Sequence, residues 1–279
     1  MIFKRSTVAA LVLAAATVGT CATVATTSAS AAVPLRVCAD PDYMPYSNRA
    51  GEGFENKVAQ AVGHALGRPV TYVWGSTRGP GGFDQFLHDT LNAKKCDVVM
   101  DVPFASENVL ATRPYYVSSY VFVFPKKRNY DITSMDSPAL KKLKIGFEAE
   151  TPAEMGLKIR ALTLHGVVFD VGDTPGESPR KILDAVTSGK IAVAVTWEPA
   201  IGYYLRSRGD LSVVAVPNSR AMGSPEQYAF PMAMGARLGD TRTRDALDAA
   251  IAKYKPELTR ILATYGVKLY QPTDQVGQR

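Results

Sequence analysis

Short apolar runs rich in β-branched residues alternate twice along this chain with segments whose apolar residues recur at helical spacing, and that alternation restricts it to an α/β architecture built on parallel strands. The first round opens at Leu35–Ala39 (LRVCA). A turn-rich loop, Asp40-Pro-Asp42-Tyr-Met-Pro45-Tyr, follows, and Phe54, Val58, Ala61, Val62, Ala65 and Leu66 then line one helical face. Val70–Trp74 (VTYVW) predicts the next strand, 75–82 (GSTRGPGG) a long loop, 83–93 a helix, and 96–102 (CDVVMDV) the strand that completes a βαβαβ unit. Such strands are covered on both faces, so they are apolar almost throughout.

The second round begins with a strand at 143–147 (LKIGF), where Thr151-Pro152-Ala153-Glu154 predicts a helix start with Thr at the N-cap, Pro at the first helical position and Glu completing a capping box. Strands are expected at 167–171, 191–196 and 211–216, with a helix over 178–188. Two further segments, 119–125 and 228–235, are extended and apolar but have no helix of their own. The last periodic stretch, 241–265, carries Leu247, Ile251, Leu258 and Leu262, is broken by Pro256, and has no local strand to cover. The economical arrangement returns it to the first unit. The fold class expected is therefore two α/β lobes, each a mainly parallel sheet flanked by helices, joined by two crossover strands. Lobe one spans 33–119, lobe two 126–226, and 228–279 returns to lobe one.

Lys4 and Arg5, an apolar run over 7–18 and the small residues Ala29-Ser30-Ala31 predict a secretory signal peptide, 1–31, cleaved after Ala31 and taking Cys21 with it. The apolar run is too short to span a bilayer, and no later segment approaches the required length. A soluble periplasmic chain of 248 residues, long enough for two cores, is expected. The formal net charge of +6 loses Lys4 and Arg5, and the remaining basic residues are scattered among acids. That balance suits an acidic protein partner and argues against nucleic acid. Cys38 and Cys96 remain, each at an apolar strand. If those strands are neighbours, a bridge closing 58 residues stabilises by roughly 4 kcal/mol; the other reading is two buried thiols. Oxidising export favours the bridge.

Little points to catalysis. His64, His88 and His165 have no evident nucleophile or partner, and no CxxC, HExxH or phosphate loop is present. The Gly-rich loop at 75–82 lacks a cradle lysine and reads as a mobile surface loop carrying Arg78. Asp40 and Asp42 stand at a strand's C-terminal end, where open α/β sheets place ligands, but they serve equally well as turn caps. With Glu52 and Glu55 they form the only local acidic cluster; solvated acids are the default reading and a calcium or lanthanide site the alternative, and neither metal nor cofactor is assigned. Among aromatic residues at strand ends (Tyr43, Tyr46, Trp74, Phe104, Trp197, Tyr203, Tyr204), about half should pack in the core, while Tyr43, Tyr46 and Trp197 are the best candidates to line a cleft between lobes.

The stretches LRVCADPDYMPYS with GEGFENKVAQAVGHALG, CDVVMDVPFASENVLATRPYYVSSYVFVF, LKIGFEAETPAE and GKIAVAVTWEPAIGYY resemble the family-3 solute-binding proteins over nearly the whole mature chain. Within that superfamily CADPDYMPYSN, GEGFENK, CDVVM and TRPYYVSSYVFV are similar to the MoxJ, MxaJ and XoxJ family. The resemblance implies a type 2 periplasmic binding fold in which the strands of Cys38 and Cys96 are neighbours and the cysteines are joined. It also implies a non-catalytic periplasmic accessory protein, without cofactor, that binds or helps mature a PQQ-dependent methanol dehydrogenase, calcium- or lanthanide-type, with its cytochrome c as a further partner. A receptor delivering a small solute to an ABC importer is the alternative, and an enzyme on the same scaffold the third choice.

Amino-acid binders of the superfamily hold the ligand α-carboxylate with an Arg, matched here by Asn108, and the ammonium with an Asp, matched here by Trp197 with Glu198 beside it. Loss of both anchors argues against amino-acid binding. The implied cleft or partner-binding set is Asp40, Tyr43, Tyr46, Asp101, Asn108, Thr151, Trp197 and Glu198. The expected cleft is an open docking groove, since no ligand pairs the lobes.

Overall fold

In a computed structural model of the protein, the first apolar runs form β1 (Leu35–Ala39), a hairpin of β2 (Asp42–Tyr43) and β3 (Ser47–Asn48), α1 (Phe54–Ala65) and β4 (Val70–Trp74). Next come α2 (Gly82–Leu87), β5 (Val98–Pro103), β6 (Leu110–Ala111), β7 (Tyr116–Pro125), β8 (Ile145–Glu148), α3 (Pro152–Lys158) and β9 (Val167–Phe169). The chain continues through α4 (Arg180–Thr187), β10 (Val193–Trp197), α5 (Glu198–Leu205), β11 (Leu211–Ala215), β12 (Ala229–Ala236) and α6 (Thr241–Thr264). The structure describes residues 1–2, 32–170, 174 and 177–270. The expected cleavage after Ala31, Cys21 and the apolar run of the signal peptide lie outside them.

The strands run in the order β4-β1-β5-β12-β7-β10-β8-β9, with β11 also pairing β7. In the first lobe β1 is parallel to β4 and β5, and in the second β8 is parallel to β9 and β10. The hinge is written into the register of β7. Residues 116–119 pair with β12, whereas 120–123 pair with β10, so one strand belongs to both sheets. Both crossover strands enter antiparallel, β12 between β5 and β7, and β7 between β10 and β11. The strand expected at 211–216 accordingly sits antiparallel to its neighbour, because β7 is inserted between it and β10.

Two local expectations are corrected. The helix predicted over 83–93 is α-helical only through Leu87 and then widens into a π-helical turn over His88–Asn92, where the Thr90 hydroxyl donates to the Phe86 carbonyl (2.5 Å). Pro256 does not break the last helix, because α6 runs through it. Pro256 lies on the exposed face, where water meets the carbonyl it leaves free. Meanwhile Leu247, Ile251, Leu258 and Leu262 are buried with Phe54, Val58 and Val62 of α1. Packing of that face outweighs one missing helical hydrogen bond, and the last helix returns to lobe one.

Cys38 and Cys96 are joined, with Cα atoms 5.5 Å apart. Cys38 stands opposite Val99 of β5, and Cys96 lies just before that strand, so the bridge ties neighbouring strands at the core of lobe one. At α3, Thr151 accepts from Glu154 N (3.2 Å) as expected, but the Glu154 carboxylate reaches one residue further back, to the Glu150 amide (2.8 Å).

Candidate ligand cleft

The loop after β1 is held in place by the start of α1. The amides of Phe54 and Glu55 donate to the carbonyls of Pro45 and Tyr46 (both 2.9 Å), and Asn56 Oδ1 accepts from the amides of Asn48 (3.0 Å) and Gly53 (3.1 Å). Gly53 is needed there, since a Cβ would sit 2.0 Å from the Tyr46 carbonyl oxygen. The helix thereby fixes Tyr43 and Tyr46 over the ends of the first sheet, their rings 4.8 Å apart.

Two adjoining cavities of about 340 and 210 Å³ lie at this position and share Tyr43, Tyr46, Trp197 and Met232 as walls. The larger faces lobe two through Tyr120, Glu148, Trp197 and Phe230. Trp197 ends β10 with its ring 5.2 Å from Tyr120 and 6.0 Å from Phe230, so the wall is a continuous aromatic surface. The smaller cavity extends into lobe one and is lined by Asp40, Glu55 and Asp101. Among the described residues, neither cavity is lined by Lys or Arg.

These acids occupy different environments. Asp40 accepts from the amides of Asp42 and Thr77 (both 2.8 Å) and from the Thr77 hydroxyl (3.1 Å), so it organises both loops. Asp101 has a left-handed backbone (φ 57°), and the Tyr116 hydroxyl donates to its carboxylate. Burial pushes its carboxyl up to about 7 against that hydrogen bond. Glu55 is raised well above the usual range, first by burial and then by the charges of Asp101 and Asp40. Glu55 is thus no solvated acid: α1 turns it into the cavity. Exposed Glu52, engaged by Asn48, does fit that description. No group of three His, Cys, Asp or Glu able to hold a metal ion occurs among the described residues.

Of the residues selected from sequence, Tyr43, Tyr46 and Trp197 come together, with Asp40 and Asp101 in the adjoining cavity. Thr151 caps α3 beside Pro152, which lines the larger cavity. Glu198 is placed elsewhere. It is buried at the seam between lobes, where both oxygens accept from the Lys268 amide (3.1 Å each) and Oε2 accepts from the Ser118 hydroxyl (3.3 Å). Asn108 is exposed and donates to Asp84 (2.8 Å), away from both cavities. Glu148, Tyr120 and Phe230 were not singled out. Glu148 ends a strand beside β10, and its Oε1 accepts from the Thr196 hydroxyl (2.6 Å).

Two expectations about the cleft do not hold. The Gly-rich loop does not carry Arg78 into solvent, for its side chain is 1% exposed. Nor is the cleft an unbridged groove. Arg78 Nη1 donates to the carbonyls of Thr174 and Glu177 in lobe two (3.1 Å each), and Tyr204 on α5 donates to the Met44 carbonyl of lobe one (3.3 Å). The chain's own side chains thus make a bridge between the lobes that needs no bound ligand.

Residues 35–268 match the bacterial extracellular solute-binding proteins, family 3. A protein named MoxJ from Methylorubrum extorquens is 32% identical over 248 residues, covering 84% of this chain and 80% of that protein. MoxJ from Paracoccus denitrificans is 25% identical, covering 84% and 88%. The crystal structure of MxaJ from Methlophaga aminisulfidivorans MPT superposes with a TM-score of 0.73 at 26% identity, covering 85% of this chain and all of that one (100%). The periplasmic binding protein XoxJ from Methylobacterium extorquens AM1 gives 0.68 at 29% identity, covering 85% and 99%.

Proposed function

Because the chain belongs to family 3 of the bacterial extracellular solute-binding proteins and to the MoxJ group within it, we propose that it is a non-catalytic periplasmic accessory protein that binds a PQQ-dependent methanol dehydrogenase and assists its maturation. The observation that carries this reading is the aromatic wall of Tyr43, Tyr120, Trp197 and Phe230, with no basic side chain among the described lining residues. An α-carboxylate entering that cleft loses its water without gaining an ion-pair partner, since Arg78, which lies against the Tyr43 ring, already donates to the carbonyls of Asp42, Thr174 and Glu177. Trp and Tyr are instead the side chains that anchor protein contacts. Since the lobes are bridged, a partner segment reaches this wall as they part, so docking is coupled to opening.

Affinity capture from periplasmic extract, followed by identification of the bound protein, tests the proposal. The dehydrogenase should be retained, and Trp197→Ala should weaken its association at least ~10-fold, the loss of one aromatic hot spot, while circular dichroism shows the variant folded. Retention of the dehydrogenase by the variant with unchanged affinity moves the contact to an outer surface. A second reading, a receptor for a non-amino-acid solute, is favoured by the solute-sized cavity of about 340 Å³. A metabolite seen by native mass spectrometry, with no dehydrogenase captured, selects it.

A further inference from the structure

Burying a guanidinium away from water is unfavourable unless its donors are met. Arg78 is buried, and both sides of the cleft meet its terminal nitrogens, while Nε makes no hydrogen bond among the described residues and faces only the charge of Asp40. From lobe one, the Asp42 carbonyl accepts from Nη2, the Tyr43 ring lies 4.5 Å from the guanidinium carbon, and Asp40 Oδ2 lies 3.9 Å from Nε. From lobe two, the carbonyls of Thr174 and Glu177 accept from Nη1. Asp40 and Tyr43 present a charge and a π face, which together select a planar cation. The two carbonyls are contacts that exist only while the lobes are together.

We propose that Arg78 is a tethered ligand: its guanidinium fills a planar-cation site formed by Asp40, Asp42 and Tyr43 of lobe one with Thr174 and Glu177 of lobe two, and closes the cleft with no solute bound. A ligand shifts an open–closed equilibrium only through interactions that differ between the two states. Here the differing interactions are the bonds from Nη1 to lobe two, supplied in cis. The site accepts free guanidinium compounds when the side chain is removed, and excludes them while it is present, because a tethered group acts at a high effective concentration. Lysine does not substitute, since an ammonium has neither the planar face nor the forked donors.

Small-angle X-ray scattering of the purified protein provides the test, with ethylguanidinium as the probe and ethylammonium as its non-planar control. Wild type alone should scatter as a closed particle with a radius of gyration of roughly 18 Å, unchanged by either compound at about 10 mM, below the local concentration of a tethered group. Arg78→Ala should expand by about 1 Å over that compact value. Ethylguanidinium should then return it to the wild-type profile, half-maximally at roughly 1–10 mM, as a single unlinked cation site allows, while ethylammonium should not. A wild-type profile that is already open overturns the proposal without recourse to any variant. So does Arg78→Ala scattering as wild type does, or opening without recovery in ethylguanidinium. If Arg78→Ala does not fold, Arg78→Lys takes its place: expansion supports the planar-cation site, and a wild-type profile sinks it.

Discussion

The two lobes bury charge in opposite ways. Lobe one places Glu55 and Asp101 against its cavity with no Lys or Arg at ion-pair distance from either among the described residues, and its core is cross-linked by Cys38–Cys96. Lobe two buries the guanidinium of Arg160 and brackets it completely: Asp136 accepts from Nε (2.7 Å) and Nη2 (3.1 Å), Glu226 from Nη1 (2.6 Å) and Nη2 (3.0 Å), and the Gly156 carbonyl from Nη1 (3.0 Å). Compensated charge far from the cleft is structural. Uncompensated acids facing a cavity are where ligand or partner chemistry is expected. Lobe one thus carries most of the acids of the cleft, while its aromatic wall is shared, Tyr43 coming from lobe one, Phe230 from crossover strand β12, and Tyr120 and Trp197 from the side of lobe two.

The largest effect that separates the lobes should come from the disulfide. Replacing Cys38 and Cys96 with Ser should destabilise lobe one by about 4 kcal/mol, for the 58-residue separation, because the unfolded chain regains the loop entropy. Calorimetry should then show lobe one melting before lobe two, and one unchanged transition would mean that the lobes are not distinct in this respect.

The matching perturbation in lobe two is Arg160→Ala. It leaves Glu226, whose side chain is only 9% exposed, without its ion-pair partner and held only by the Tyr228 hydroxyl among the described residues, at a cost of about 3 kcal/mol. Its melting should fall in the lobe-two transition alone. The charge of Arg160 is assigned the wrong role if Arg160→Met is nearly as stable as wild type, because Met keeps the stem and loses only the ion pairs.

What the sequence disclosed of these lobes divides along physical lines. Periodicity and caps are local, so the strands at Leu35, Val70 and Ile145 and the Thr151 cap were legible, as was the return of α6 through Leu247 and Leu258. Arg78 was not. Its acceptors are the backbone carbonyls of residues 42, 174 and 177, and a carbonyl carries no sequence signature. A Gly-rich loop therefore read as surface. Glu55 looked solvated because the sequence places it next to Phe54 without revealing that β5 brings Asp101 to the same cavity. Glu198 was assigned to the cleft by its neighbour Trp197, while its actual partner, the amide of Lys268, lies 70 residues on.

The smallest effect concerns the seam and is read from pH. Burial raises the Glu198 carboxyl from 4.5 to about 7, against the opposing bonds from the Lys268 amide and the Ser118 hydroxyl. The folded protein consequently keeps a proton that the unfolded chain releases between those values. The sign follows: the stabilisation is fully present below pH 4.5 and is lost as pH rises through about 7. This group alone should lower stability by about 1–3 kcal/mol across that window. Asp101, raised from 3.8 to about 7, and Glu55, raised well above the usual range, contribute in the same direction from lobe one, so wild type contains all three effects. Chemical denaturation of wild type and Glu198→Gln at pH 5 and pH 7.5 separates them. Their stability difference should move in favour of Gln as pH rises, because the amide has no proton to release. Asp101→Asn should show the same change confined to lobe one. A difference between wild type and Glu198→Gln that stays constant with pH would place an ionised carboxylate at the seam at both values, and would make the hinge as fully compensated as the Arg160 network of lobe two.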